Sequence, residues 1–211
     1  MGRSFAVGFD LDMTLIDSRP GIAATYRALS ERTGVPIDAE AAVSRLGLPL
    51  RHELRRWFPP DQLEAAVTEY RTLYPRYAIA PSTPMPGAVA ALELIRSRGG
   101  RIVVVTAKLG RLAWLHLEHL KLPVDEVAGE LFAEEKATAL TAYGVGLFVG
   151  DHVADMVAAR AANVPGVAVA TGPCSAAELS AAGAAAVIDD LTQFPETLPP
   201  SLRLALSSQR S

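Results

Sequence analysis

Ile102-Val103-Val104-Val105 is an uninterrupted β-branched run, and it constrains the fold more than any other stretch of this chain. Such a run suits a central parallel strand, because its side chains are buried whichever face of the sheet they take. Further β-like runs lie at 5–9, 146–149 and 167–170, with a weaker one at 185–188, and helical stretches separate them. From Pro86 onward the alternation is β then α, which predicts a doubly wound, Rossmann-like parallel sheet of the α/β class. A helix behind Pro86, running from 88 to 98 and closed by Gly99-Gly100, carries proline-first, glycine-last punctuation.

Residues 19–83 break this rhythm. They read as consecutive amphipathic helices at 20–33, 39–45, 50–58 and 61–80, with no convincing strand among them. Pro81-Ser82-Thr83-Pro84-Met85-Pro86 then returns the chain to the sheet. The organisation expected is a core domain of 1–17 and 84–198, an all-helical domain of 18–83 inserted after the first strand, and a frayed tail at 199–211.

Composition narrows the function classes. A chain of 211 residues, half of them hydrophobic and a fifth charged, predicts a globular protein with a sizeable core. Its net charge of −3 gives no electrostatic footprint for nucleic acid or an acidic membrane surface. Cys174 is the only cysteine, so no internal disulfide forms and a reducing compartment is expected. No apolar run approaches the ~18–20 residues of a membrane-spanning helix. The start, Met1-Gly2-Arg3-Ser4, is unlike a signal peptide, so a cytoplasmic location is expected.

The chemistry begins where the first strand ends. Asp10-Leu11-Asp12-Met13-Thr14 follows the apolar run Phe5-Ala6-Val7-Gly8-Phe9, placing two carboxylates on the edge where open α/β sheets bind ligands. Taken alone, Asp-x-Asp is a turn or helix-cap feature. Here two carboxylates on one edge resist joint ionisation unless a cation lies between them, and Mg²⁺ suits oxygen ligands. The remaining strands add Thr106, after Val105, and Asp151, after Gly150. Parallel strands bring Asp10, Asp12, Thr106 and Asp151 to one edge, and the reaction expected there is phosphoryl transfer to an aspartate.

These motifs resemble those of the haloacid dehalogenase superfamily, in its phosphoglycolate-phosphatase-like branch with a helical cap. Asp10-Leu11-Asp12-Met13-Thr14 matches the first motif, Thr106 the second, Lys136 the third, and Gly150-Asp151 with Asp155 the fourth. The resemblance implies a Mg²⁺-dependent phosphatase acting on a small phosphorylated metabolite. Asp10 would be the nucleophile, and Asp12 would protonate the leaving group and then deprotonate water. Mg²⁺ would be held by Asp10, Asp151 and the backbone carbonyl of Asp12, with Asp155 orienting Lys136 or a water on the ion. Thr106 and Lys136 would hold the phosphoryl oxygens, aided by backbone amides after Asp12, at Thr14, and around Ala107. A carboxylate at Asp12 separates phosphatases from the haloacid dehalogenases, which lack it.

The same motifs serve a sugar phosphomutase, and a phospho-aspartate receiver module is the alternative from another class. The chain departs from close phosphoglycolate phosphatases in having 14 residues between Lys136 and Asp151, no proline after the lysine, and His152 after the motif-four aspartate. The phosphate-neutralising lysine is therefore open between Lys136 and Lys108. Arg45-Leu46-Gly47-Leu48-Pro49-Leu50 resembles the cap loop facing the site, so Arg45, Gly47 and Arg51 are expected to read the organic part of an anionic substrate. His116 and His119 are spaced i, i+3, but no third zinc ligand accompanies them, and a partly exposed helix face is expected. Oligomeric state is left open.

Overall fold

A computed structural model describes residues 5–198 of the chain. The expected tail at 199–211 and the residues Met1-Gly2-Arg3-Ser4 lie outside that range. Six parallel strands form the main sheet: β1 (Ala6–Phe9), β4 (Arg101–Val105), β5 (Glu126–Ala128), β6 (Val145–Gly150), β7 (Gly166–Val169) and β8 (Ala186–Ile188). Their spatial order is β5-β4-β1-β6-β7-β8, with β1 pairing in parallel to both β4 and β6. The chain builds outward from β1 to one side and then returns to build the other. The C-terminal end of β1 is therefore the switch point where such sheets hold ligands.

Two-sided burial explains the β-branched sequence. Val7, Phe9, Ile102, Val104, Leu147 and Val149 share one core with Leu92 and Ile95 of α5 (Ala88–Ser97) and Leu117 of α6 (Gly110–His119). Ala6, Val103, Val105 and Phe148 face the opposite way, against Leu140 of α7 (Glu134–Ala142) and Ala158 of α8 (Val153–Ala161). Val103, Val104 and Val105 are each fully buried, worth about 1.5–3 kcal/mol apiece in transfer from water.

Between β1 and β4 the chain leaves the sheet. β2 (Ile16–Asp17) and β3 (Thr83–Pro84) pair antiparallel, Ile16 with Pro84 and Asp17 with Thr83, so the outgoing and returning chains run side by side. Four helices lie between them: α1 (Arg19–Thr33), α2 (Ala39–Val43), α3 (Leu50–Leu54) and α4 (Pro60–Tyr77). They are shorter than expected at 39–45 and 50–58, where the last residues turn out of the helix. α1 begins with Pro20 in its first turn and ends at Gly34, whose φ of 72° lets its N–H reach the Ser30 carbonyl. Ile22, Tyr26, Leu29, Leu63, Val67, Tyr70 and Tyr74 give this helical unit its own core. Gly21 permits the close approach of α1 to the end of α4, since a Cβ there would lie 2.3 Å from the Ala78 carbonyl oxygen.

β2, β3 and β5 are not anticipated by the sequence, being strands of two or three residues without an apolar run. His116 also corrects an expectation: it is fully buried rather than on a partly exposed face, whereas His119 is exposed. Among the described residues no helix is long and apolar enough to cross a membrane.

Candidate active site

β1 delivers Asp10, Leu11 and Asp12 into a tight turn. Met13 takes φ 63°, and the amides of Leu15 and Ile16 both reach the Leu11 carbonyl, at 2.9 and 3.1 Å. β4 delivers Thr106, whose hydroxyl accepts the Lys108 amide at 3.2 Å. β6 delivers Asp151, which accepts a 2.8 Å hydrogen bond from the Thr14 hydroxyl. Asp10, Thr14, Thr106, Lys136, Asp151 and Asp155 are all buried at this edge.

Lys136 is buried in the site, not on the solvated helix face that Glu134-Glu135-Lys136 suggests. Its Nζ lies 2.7 Å from Asp10 Oδ1 and 2.7 Å from Asp155 Oδ1. Lys108 also reaches the site but by a different carboxylate: its Nζ donates to Asp12 Oδ1 at 2.7 Å and to the Tyr74 hydroxyl at 2.6 Å. The two lysines thus divide the two aspartates between them. Ser18, one residue past β2, donates a short hydrogen bond to the same Asp12 oxygen.

Charge points to the kind of ligand this cluster would hold. Four carboxylates (Asp10, Asp12, Asp151, Asp155) meet two ammonium groups (Lys108, Lys136), leaving a formal −2 at the edge. Burial, with Asp155 and Asp12 nearby, pushes the Asp10 carboxyl up to about 7 against the pull of Lys136. Burial and the Asp10 charge likewise hold Asp151 well above the carboxylate range. Burial opposes ionisation of Asp12 as well, but Lys108 and Ser18 outweigh it and bring that carboxyl below its usual value. One oxygen each from Asp10, Asp151 and Asp155 lie within 4.8 Å of one another. A compact, over-negative, all-oxygen set of this kind fits a hard divalent cation. Gly172 keeps room beside it: a Cβ there would fall 1.8 Å from Asp151 Oδ2.

The cleft over the edge has a volume of about 340 Å³. Asp10, Asp12, Thr106, Ala107 and Lys108 line its floor, and Tyr26, Gly47, Arg51, Tyr70, Arg71 and Tyr74 of the helical unit line its roof. Arg45 does not line it. Its guanidinium is held bidentately by the buried Glu53, at 3.0 and 2.6 Å, and this pair braces the helical unit from within. Arg51 lines the cleft while its guanidinium is forked onto Glu64 at 2.9 and 2.6 Å. His152 caps α8, its Nδ1 accepting the Ala154 amide at 3.1 Å, and a Cβ at Gly47 would meet its ring at 3.0 Å. Asp155 completes the capping box while serving Lys136.

Four participants carry no motif in the sequence. Arg71 faces the cleft from α4. Tyr74 bonds Lys108 and, at 3.0 Å, His116 Nε2; His116 Nδ1 lies 3.0 Å from the hydroxyl of Ser82, one residue before β3. Burial, with Lys108 nearby, lowers His116 to about 3, so its ring is neutral here. Of these groups the sequence singles out only His116, by its i, i+3 spacing to His119.

Fold and site together define a class: a doubly wound α/β protein with an acidic, cation-ready sheet edge roofed by a helical insert. A family model for haloacid dehalogenase-like hydrolases matches residues 7–169. The phosphoglycolate phosphatase of Rhodospirillum rubrum is 33% identical, over 92% of this chain and 90% of its own length. That of Chromobacterium violaceum is 32% identical, over 83% of this chain and 89% of its own length. A haloacid dehalogenase-like hydrolase structure from Streptococcus pneumoniae superimposes with a TM-score of 0.79 at 25% identity, covering 92% of this chain and 98% of that one. The chain belongs to the haloacid dehalogenase-like hydrolase family. Within it, this protein is a hydrolase of phosphoric monoesters.

Proposed function

We propose that the protein hydrolyses a small phosphorylated metabolite of the phosphoglycolate kind through an aspartyl-phosphate on Asp10. One observation carries the reading: Lys136 bridges Asp10 and Asp155 beside Asp151, on the sheet edge that also presents Asp12 and Thr106. The names of the relatives support the substrate class. The cleft, at the small end of ligand pockets, supports a substrate of a few heavy atoms.

In the first step an Asp10 oxygen attacks phosphorus, the P–O bond to the leaving group breaks, and Asp12 gives its proton to the departing alkoxide. In the second, Asp12 takes a proton from water as the water oxygen attacks the same phosphorus, releasing Asp10 and inorganic phosphate. Lys108 and Ser18 favour the ionised Asp12 that the second step needs, so the first step draws on its protonated form, the proton being taken up from solvent or from a monoanionic ester as the substrate binds. Thr106, the amides at Thr14 and Ala107, and Lys136 hold the phosphoryl oxygens, an electrostatic task that dominates such transfers. Asp10, Asp151 and the Asp12 carbonyl are the groups that would hold Mg²⁺, with Asp155 positioning Lys136. Mg²⁺, when bound, keeps Asp10 and Asp151 ionised and draws charge from the phosphoryl group. Residues 18–83 act as a cap over a core of 1–17 and 84–198, closing to exclude bulk water and opening for product release. Cys174, with no second cysteine to pair with, is in keeping with a cytoplasmic location.

The test is Mg²⁺-dependent phosphate release from p-nitrophenyl phosphate and phosphoglycolate, beside Asp10→Asn and an EDTA control. Loss of release in both controls is expected. Release that survives Asp10→Asn overturns the mechanism, transfer to a sugar phosphate in place of release marks a mutase, and a stable phosphoprotein without turnover marks a signalling module.

A further inference from the structure

Arg51, Arg71 and Lys108 are the cationic side chains lining the cleft. Two of them are fully occupied. Lys108 is held by Asp12 and Tyr74, and both prongs of the Arg51 fork lie on Glu64. Arg71 is different. It contacts Glu130 by one prong only, Nη2 to Oε1 at 2.6 Å, while its Nε is buried with no hydrogen-bond partner. A buried, unsatisfied guanidinium N–H is costly, and natural sites fill such positions.

Glu130 is tied to the catalytic floor. It follows β5 in a left-handed backbone conformation, φ 61°. Its amide donates to the Lys108 carbonyl at 2.9 Å, and the next amide, Leu131, donates to the Thr106 carbonyl at 3.1 Å. The loop carrying Glu130 is thus stitched to the segment that presents Thr106 and Lys108. Arg71 therefore stands over the phosphate-binding floor, and the group it holds there is a carboxylate.

Resting on the phosphatase reading above, we infer that Arg71 is a specificity-determining residue that binds a carboxylate of the substrate, with Glu130 standing in for that carboxylate in the free enzyme. A substrate carboxylate entering the cleft takes the Nε and Nη2 prongs together, the bidentate geometry a guanidinium prefers. Glu130 retreats toward solvent, where its side chain is already about half exposed, at 49%. The substrate class named is a phosphate monoester with a carboxylate a short distance from the ester oxygen.

Phosphoglycolate and ethyl phosphate differ in having a carboxylate or a methyl group on the same carbon, so the ratio of their kcat/KM values reads the subsite. Arg71→Ala is expected to lower that ratio about 10- to 100-fold, as befits a lost pair of charge-assisted hydrogen bonds. Arg71→Lys is not expected to restore it, because an ammonium lacks the fork. Glu130→Gln, which weakens the stand-in, is expected to raise the ratio. Equal losses on both esters in Arg71→Ala would make Arg71 a brace between α4 and the sheet and overturn the inference. Calorimetric binding of phosphoglycolate in EDTA, where the proposed reaction does not run, to protein with and without Arg71→Ala probes the same subsite without turnover. About 10- to 100-fold weaker binding supports the subsite, and equal affinities overturn it. Failure of the wild type to cleave either ester would instead count against the proposed activity.

Discussion

Replacing Asp10 should stabilise the metal-free protein. Asp10 is buried with Asp12, Asp151 and Asp155 nearby, and its carboxyl is raised from 3.8 to about 7. A carboxyl whose folded value exceeds its unfolded value holds its proton longer in the folded state, so stability falls as pH rises from about 4 to about 7. Above that window the full penalty is present, with a ceiling of about 4 kcal/mol at ~1.4 kcal/mol per tenfold. Asp10→Asn removes the charge while Lys136 keeps Asp155 as its partner. For a domain of this size about 1 kcal/mol moves the thermal midpoint by about 2–4 °C. Thermal unfolding in EDTA at pH 8 should therefore place Asp10→Asn above the wild type by up to about 8–16 °C. At pH 5, where the folded carboxyl is still largely protonated, the gap should shrink to less than half. Mg²⁺ at pH 8 should raise the wild type and move Asp10→Asn much less. A variant no more stable than the wild type at pH 8, or a gap that does not narrow toward pH 5, refutes the reasoning.

Three further outcomes follow from the same geometry. Lys136→Met should lower kcat on p-nitrophenyl phosphate about 10²- to 10³-fold, the loss typical of one preorganised electrostatic donor, and a change under tenfold would remove Lys136 from the phosphate site. Gly172→Ala drives a methyl group against Asp151 Oδ2, so the Mg²⁺ concentration for half-maximal activity should rise at least tenfold with folding intact by circular dichroism; an unchanged Mg²⁺ titration would take Asp151 out of the cation site. Tyr74→Phe leaves Lys108 and His116 each short of a partner in a buried setting, and chemical denaturation should report a loss of about 1–3 kcal/mol. A loss below about 0.5 kcal/mol would show that this hydrogen-bonded chain is solvated in solution.

What can be read from the residues alone is whatever a single segment decides. β1, β4, β6 and β7 are legible because a strand buried on both faces must be apolar along its length, and their ends place Asp10, Thr106 and Asp151. β5, β2 and β3 are not, because pairs of two or three residues exist only through a partner distant in sequence. Lys136 is placed in the site by the resemblance alone, since beside Glu134 and Glu135 it has the look of a solvated charge, although Lys136, Ala139 and Leu140 form an i, i+3, i+4 inward stripe that the sequence does contain. Arg45 reads as a substrate contact because its loop faces the cleft, but its partner Glu53 is set by how α3 packs. Arg71 sits on a charged helix face, and nothing local distinguishes the side that meets the sheet from the side that meets water.

The β2–β3 ribbon has a consequence beyond holding the helices in place. Because Asp17 lies opposite Thr83, the chain between them is a detour whose two ends touch. The sheet meets that detour through the ribbon and through a few side chains of α4, Arg71 on Glu130 and Tyr74 on Lys108 and His116. A change of length inside the detour away from those contacts leaves the two ends of the ribbon where they are, so the sheet edge and the helices above it can vary in sequence separately.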